Sequence, residues 1–263
     1  MLDLDAFCRR IGYSGPIGAD LVTLSGLQRA FVLSVPFENI DIRIGRPLRL
    51  EVGWLFEKIV SERRGGFCFE LNGLFGAVLE QLGFGVTRLG VSLRNRETGS
   101  WTSPFAHLAL RVELDEPFLV DVGLDDPARA PLRIQDEGEQ SDGWARYRIS
   151  REEEGSWLLA LGEPGAPLEA RYRFDGQERR LEDFAQTCER LQTSLDSPFL
   201  RDYLCCQARA EGRVMVTGQR VVEVDRAGRR EKTLFDRDAF VEALREHLGL
   251  DLPAILLALP DCA

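Results

Sequence analysis

Cys68, His107 and Asp121 have the types and the chain order of an acyl-transfer triad. A thiol attacks, an imidazole takes its proton, and a carboxylate orients the imidazole. Cys68 follows Arg63-Arg64-Gly65-Gly66-Phe67 and precedes Leu71, Leu74, Phe75, Val78, Leu79 and Leu82. Those apolar residues recur at helical spacing, which predicts a helix that starts near Phe67 and stops at Gly83. Cys68 then lies in the first turn, where unpaired N–H groups and the helix dipole favour a thiolate. The glycine pair is expected to let another chain or a substrate approach the sulfur.

His107 lies in Phe-Ala-His-Leu-Ala-Leu-Arg-Val-Glu-Leu, where Ala106, Leu108, Leu110, Val112 and Leu114 alternate. It therefore faces the other side of a strand, with Phe105 and Ala109. Asp121 interrupts the apolar strand Phe-Leu-Val-Asp-Val, where a charge needs a partner. A hairpin centred on Asp115 sets Asp121 opposite Ala109, on the same face as His107 and diagonal to it. A one-residue slip would separate the two. The interval from position 68 to position 107 is far shorter than the roughly 130 residues of papain-type proteases. A caspase order, histidine first, is excluded. His247, in Arg-Glu-His-Leu-Gly at a helix end, reads as a solvated residue favoured by the helix C-terminus.

Three groups of elements must position these residues. To about residue 84 the chain is helical: Leu4 to Ile11, Leu21 to Val32, a Pro-initiated turn at 35–41, a helix near 54–63, then the Cys68 helix. From 85 to 180 the period is two, with strands at Val86–Leu93, Phe105–Leu114, Phe118–Val122, Ala145–Ile149, Trp157–Leu161 and Ala170–Phe174, and a surface loop over 135–143. Residues 181–263 are mixed, with helices at 181–192 and 237–248 and strands at 213–217, 219–224 and 230–234. The expected architecture is α+β: a helical bundle over 1–84, an antiparallel β-barrel over 85–180 and an α/β segment over 181–263.

Composition narrows the function. The net charge of −10 argues against nucleic acid, and an anionic cofactor needs a local basic patch. The start, Met-Leu-Asp-Leu-Asp, lacks the basic region of a signal peptide, and no apolar run approaches the roughly twenty residues of a membrane helix. The longest, Leu252 to Leu259, is broken by Pro253. Cys8, Cys68, Cys188, Cys205, Cys206 and Cys262 form no CxxC or disulfide pattern, and two histidines make a metal site unexpected. The expectation is a cytoplasmic, reduced protein.

The chain resembles the arylamine N-acetyltransferases. The segments that carry the resemblance are Val-Pro-Phe-Glu-Asn-Ile-Asp at 35–41, Arg-Arg-Gly-Gly-Phe-Cys-Phe-Glu-Leu-Asn-Gly-Leu-Phe at 63–75, Ala-His-Leu-Ala-Leu at 106–110 and Leu-Val-Asp-Val-Gly at 119–123. Ala-Pro-Leu-Arg at 130–133, Ser-Pro-Phe at 197–199 and Gly-Arg-Val at 212–214 are weaker echoes. The resemblance implies a helical bundle, a barrel and an α/β lid around a cysteine-protease-like core, with the triad at Cys68, His107 and Asp121. It implies acetyl transfer from acetyl-CoA, through an acetyl-cysteine, to an arylamine or arylhydrazine. It further implies an ion pair of Glu38 with Arg64 beside the site, and Phe37 in the acceptor pocket. The sequence departs from the family at Leu124-Asp125-Asp126-Pro127, where the family continues with Phe-Gly and further small residues. Leu124 removes an aromatic pocket wall, the aspartates add negative charge, and proline stiffens the loop, with Arg129 and Arg133 near enough to compensate. That departure leaves open an amide synthase or an acyltransferase with a different donor on the same triad, or a non-catalytic binding protein.

Overall fold

The computed structural model describes residues 1–152 and 155–252. The helical part holds α1 (Leu4–Ile11), α2 (Leu21–Ser34), α3 (Ile40–Arg43), α4 (Val52–Phe56) and α5 (Cys68–Gln81). Asp3 and Asp20 cap α1 and α2 by accepting from the N–H groups of Ala6 and Thr23. Helix α4 runs directly into a π-helical turn, Glu57–Ser61. Helix α5 stops where the periodicity predicts: Gly83 takes φ of 91°, and Gly83 and Phe84 donate to the carbonyls of Glu80 and Leu79.

The segment 35–41 is a correction. Instead of a simple turn, Phe37–Glu38 forms a two-residue strand, β1, and α3 follows. Its partner, β10 (Cys205–Arg209), is remote in sequence, and local pattern carries no trace of it.

Eight strands form a nearly closed antiparallel barrel: β2 (Gly85–Leu93), β3 (His107–Glu113), β4 (Pro117–Val120), β5 (Leu132–Arg133), β6 (Gln140–Ser141), β7 (Arg146–Arg151), β8 (Trp157–Gly162) and β9 (Glu169–Arg179). Their order is β5-β4-β3-β2-β9-β8-β7-β6. Phe105 falls outside β3 and packs on Phe184 instead, with ring centroids 5.5 Å apart. The β3–β4 ladder pairs Val112 with Phe118 and Leu110 with Val120, the register expected from a turn centred on Asp115.

The remainder comprises a 3-10 turn, Leu181–Phe184, helices α6 (Ala185–Thr193), α7 (Pro198–Arg201) and α8 (Arg237–Leu248), and strands β10, β11 (Gly212–Val216), β12 (Arg220–Asp225) and β13 (Gly228–Thr233). With β1 these make a second antiparallel sheet, β1-β10-β11-β12-β13. Most of the run Leu252–Leu259, and Cys262, lie outside the described residues. Among the described residues no helix is long and apolar enough to cross a membrane.

Three apolar clusters hold the fold together. One packs α1, α2 and α5 on the face of β3 and β4 that points away from the barrel interior, with Cys68 among its members. The second fills the barrel around Tyr147, Tyr172 and Phe174. The third lies between the C-terminal sheet and α8. The site sits where the first two meet.

Candidate active site

Helix α5 begins at Cys68, because Phe67 is extended (φ −99°, ψ −179°) and its N–H donates to Glu70 Oε2 at 3.1 Å. Glu70 is the end of a chain of buried charges. Lys58 Nζ lies 2.8 Å from Glu70 Oε1 and 3.0 Å from Asp41 Oδ2. Arg64 Nη2 lies 2.9 Å from Asp41 Oδ1 and 2.7 Å from Glu38 Oε1, and Glu38 Oε2 accepts from the N–H of Ile40. Three carboxylates and two cations thus alternate along the loop that presents the cysteine. Buried charges persist only when paired, so removing one member leaves its neighbours exposed to the full desolvation cost. Burial acts to raise Asp41, yet Lys58 and Arg64 hold it below the usual carboxylate range. At Glu70 burial wins over Lys58 and the pKa is raised. Burial acts to lower Lys58, and Glu70, Glu38 and Asp41 together raise it. The sequence resemblance foresaw the Glu38–Arg64 contact; Asp41, Lys58 and Glu70 were missed, though three charges in apolar surroundings were the available signal.

Arg10 of α1 fastens the same loop. Its guanidinium donates to the carbonyls of Ile59 (2.8 Å), Ser34 (2.9 Å) and Arg64 (3.1 Å).

His107 begins β3, and Asp121 follows the last residue of β4. Their side chains meet: Nε2 lies 2.7 Å from Asp121 Oδ2. The other oxygen, Oδ1, accepts from Asn72 Nδ2 at 2.9 Å and from the N–H of Gly123 at 3.0 Å. A carboxylate is acceptor-only when ionised, and three donors suit that state. With Nε2–H donating to Asp121, Nδ1 carries the ring's lone pair.

Asn72 was missed from sequence. It lies one turn beyond Cys68, and Nδ2 also donates to Leu108 O (2.7 Å) while Oδ1 accepts from the N–H of Val122 (3.0 Å). One side chain thus ties the cysteine helix to both strands that carry the other two groups. Its signal was an amide inside an otherwise apolar helical run. Tyr172, also missed, packs its ring 6.0 Å from that of His107. Burial, then Asp121, pushes its phenol well above the ordinary range.

Gly123 closes the assembly. A Cβ on it would lie 2.5 Å from Asn72 Nδ2 and 2.8 Å from Cys68 Cα, so the 121–123 backbone rests directly on the start of α5. Cys68, Asp121 and, through Asp121, His107 therefore belong to one cluster.

Two expectations about the cysteine change. Cys68 is 4% exposed, and burial, followed by the charge of Asp121, raises its thiol well above the ordinary value; the N–H of Phe69 opposes this only in part. Desolvation therefore opposes the thiolate that the helix terminus favours. The glycine pair is occupied by the protein itself: a Cβ on Gly65 would lie 2.1 Å from Pro36 O, and one on Gly66 would lie 2.9 Å from Glu70 Cβ.

Phe37 is buried in β1, its ring 6.2 Å from that of Phe199. Leu124 turns into the barrel core and lines a small enclosed cavity with Asp121, Tyr147 and Tyr172. The aspartates that follow are neutralised. Asp125 pairs with Arg171 of β9. Asp126 is buried and bridges Arg129 Nη1 (2.6 Å) and Arg213 Nη1 (2.8 Å). Arg129, fully buried, also donates to Pro127 O (2.8 Å) and, across to the C-terminal sheet, to Gly212 O (2.7 Å). Arg133 pairs with Glu116 at the surface. His247, in the last turn of α8, lies 4.0 Å from Glu223 and takes no part in the site.

A family model described as N-acetyltransferase matches residues 20–257. The chain is 34% identical over 260 residues to an arylamine N-acetyltransferase of Mycolicibacterium smegmatis, covering 95% of this chain and 93% of that one. It superposes on the arylamine N-acetyltransferase from M. tuberculosis with a TM-score of 0.90 at 27% identity, covering 98% of this chain and 99% of the other. The Mycobacterium marinum arylamine N-acetyltransferase in complex with CoA gives 0.89 at 28% identity, with 98% and 97% covered.

Proposed function

The chain belongs to the arylamine N-acetyltransferase family and is an acyltransferase, and from that premise we propose that it carries acetyl from acetyl-CoA to an arylamine or arylhydrazine through an acetyl-Cys68 intermediate. The observation that carries the reading is the 2.7 Å contact of His107 with Asp121 in a cluster with a buried cysteine. The solved relative that holds CoA supports the donor.

In this reading His107 Nδ1 takes the Cys68 proton as the thiolate attacks the thioester carbonyl. Asp121 stabilises the imidazolium that forms and fixes the tautomer, and Asn72 and the N–H of Gly123 hold Asp121 in turn. The Cys68 N–H, in the first turn of α5, is free of any intrahelical acceptor and available to the developing oxyanion. Collapse of the tetrahedral intermediate breaks the bond to the CoA sulfur, which leaves with the proton from His107. The amine then attacks the acetyl-cysteine, His107 accepts the amine proton, and the released Cys68 sulfur regains it.

The altered loop Leu124–Pro127 gives a second reading its motive: the same triad acting on another acyl group, as an amide synthase does. Intact mass spectrometry after incubation with acetyl-, propionyl- and malonyl-CoA separates the two. The expected result is one acetyl group on the peptide that contains Cys68, none in Cys68→Ala, and its loss on adding an aromatic amine or hydrazine. An acetyl group on any other residue sinks the assignment, and labelling by malonyl-CoA alone favours the second reading.

A further inference from the structure

Beside the active-site loop a cleft of about 150 Å³ is lined by Arg96, Arg171 and Arg213 and by Asp125, Asp126, Glu163 and Glu169. Its seven charges are not equivalent. Asp126 is buried between Arg129 and Arg213, and Arg213 is held a second time by Glu163. Arg171 has Asp125 as its ion-pair partner, and its buried Nε has no acceptor among the described residues. The Asp125 side chain is 40% exposed, against 7% for Asp126. Burial acts to raise the Asp125 carboxyl, but Arg171, then Arg213 and Arg96, hold it below its usual range. So one part-exposed carboxylate, Asp125, lies among three arginines.

We propose that Asp125 sets acyl-donor selectivity: it is an internal anion seated where the phosphates of a coenzyme A thioester bind, and it yields the Arg171 site to them. The inference rests on the reading of acetyl-CoA as donor. Gly123 touches Cys68, and Asp125 is two residues on, no more than about 7 Å of chain. A thioester seated at Cys68 sends its pantetheine arm out of the buried site, with the phosphates at the far end. Arginine is the side chain suited to them, through its planar fork of donors. In a chain of net charge −10 the three arginines that act on Asp125 make a local positive field at its position, so this one carboxylate has leverage on an anionic ligand. A part-exposed ion pair is weak, so displacement of Asp125 is a small cost. The buried Asp126, by contrast, stays with the protein.

The test is calorimetric binding of coenzyme A and of pantetheine, which shares the arm and lacks the phosphates. Asp125→Asn is expected to tighten coenzyme A roughly five-fold, the effect of removing about one exposed like-charge interaction, and to shift pantetheine by less than about two-fold. Arg171→Gln is expected to weaken coenzyme A, and in the double variant the Asp125→Asn gain disappears. Equal shifts for both ligands, or no shift for coenzyme A, overturn the inference. Mass spectrometry of Cys68 after exposure to S-acetylpantetheine reports separately on the donor reading. If Cys68 is acetylated while Asp125→Asn leaves the coenzyme A to pantetheine ratio unchanged, only the selectivity role falls. If wild type binds neither ligand and Cys68 stays unmodified, the donor reading falls and takes this inference with it.

Discussion

At the scale of single residues, the functional quantity is the proton on Cys68. Burial raises the thiol, so reactivity near neutral pH has to come from His107, and His107 depends on Asp121 for its tautomer. Asp121→Asn preserves shape but lets Nε2 become the lone-pair nitrogen, turning the wrong side of the ring to the sulfur. Acetylation of Cys68 is expected to slow by roughly 10⁴, the magnitude of the equivalent change in a serine-protease triad. Stopped-time mass spectrometry measures it, and a loss below ten-fold would mean that Asp121 is not the orienter. The proposed triad was legible in sequence because each member breaks a pattern: a cysteine beside glycines, a histidine on an alternating strand, an aspartate in an apolar one. Asn72 breaks a pattern too, but an amide within a helix has so many uses that only its three hydrogen bonds reveal its place. That burial opposes the thiolate was not legible, since it is a property of the packed site rather than of the helix end.

At the scale of elements, catalysis depends on how closely the end of β4 is laid on the start of α5. Gly123 permits that approach, with Cys68 Cα and Asn72 Nδ2 inside the space a Cβ would need. Gly123→Ala is expected to push the 121–123 backbone off Cys68 and lower kcat/KM by about 10², the cost of an ångström-scale misplacement. Thermal melting would show a folded protein; an active variant would mean the helix start yields without consequence. The helix boundaries and the β3–β4 register could be read from sequence because both follow periods, 3.6 and 2, that are local. The strand at Phe37–Glu38 could not, nor could the Lys58 to Glu38 charge chain, because their partners are brought together by tertiary packing. For the aspartates of the 125–126 loop the sequence offers Arg129 and Arg133 as partners; Arg129 does pair with Asp126 and Arg133 pairs elsewhere, while Arg171 and Arg213 come from strands well downstream.

For the molecule as a whole, the buried thiols make stability depend on pH in one direction. Burial pushes Cys188 up to about 12 and raises Cys205 and Cys206 well above the ordinary thiol. Each keeps its proton in the folded chain after the unfolded chain has lost it, so the unfolded state binds fewer protons above about pH 8.5. Stability therefore falls as pH rises through that region, by up to about 1.4 kcal/mol per pH unit for each thiol. Lys58, raised in the folded state, adds the same sign above its own ordinary value. Melting temperatures across the alkaline range are expected to decline, with a shallower slope in Cys188→Ala; a flat profile would contradict the burial argument.

The two-residue strand Phe37–Glu38 bears on when the enzyme becomes active during synthesis. Glu38 anchors the charge chain behind Cys68, yet its strand is completed only by Cys205 and Cys206. A chain still on the ribosome has made the proposed nucleophile, base and orienter long before it has made that partner. Loop closure over such a distance comes late, after local helices and hairpins have formed. The nascent protein would thus carry its reactive cysteine through most of translation in an unfinished setting, and the last sheet to assemble acts as the step that commissions it.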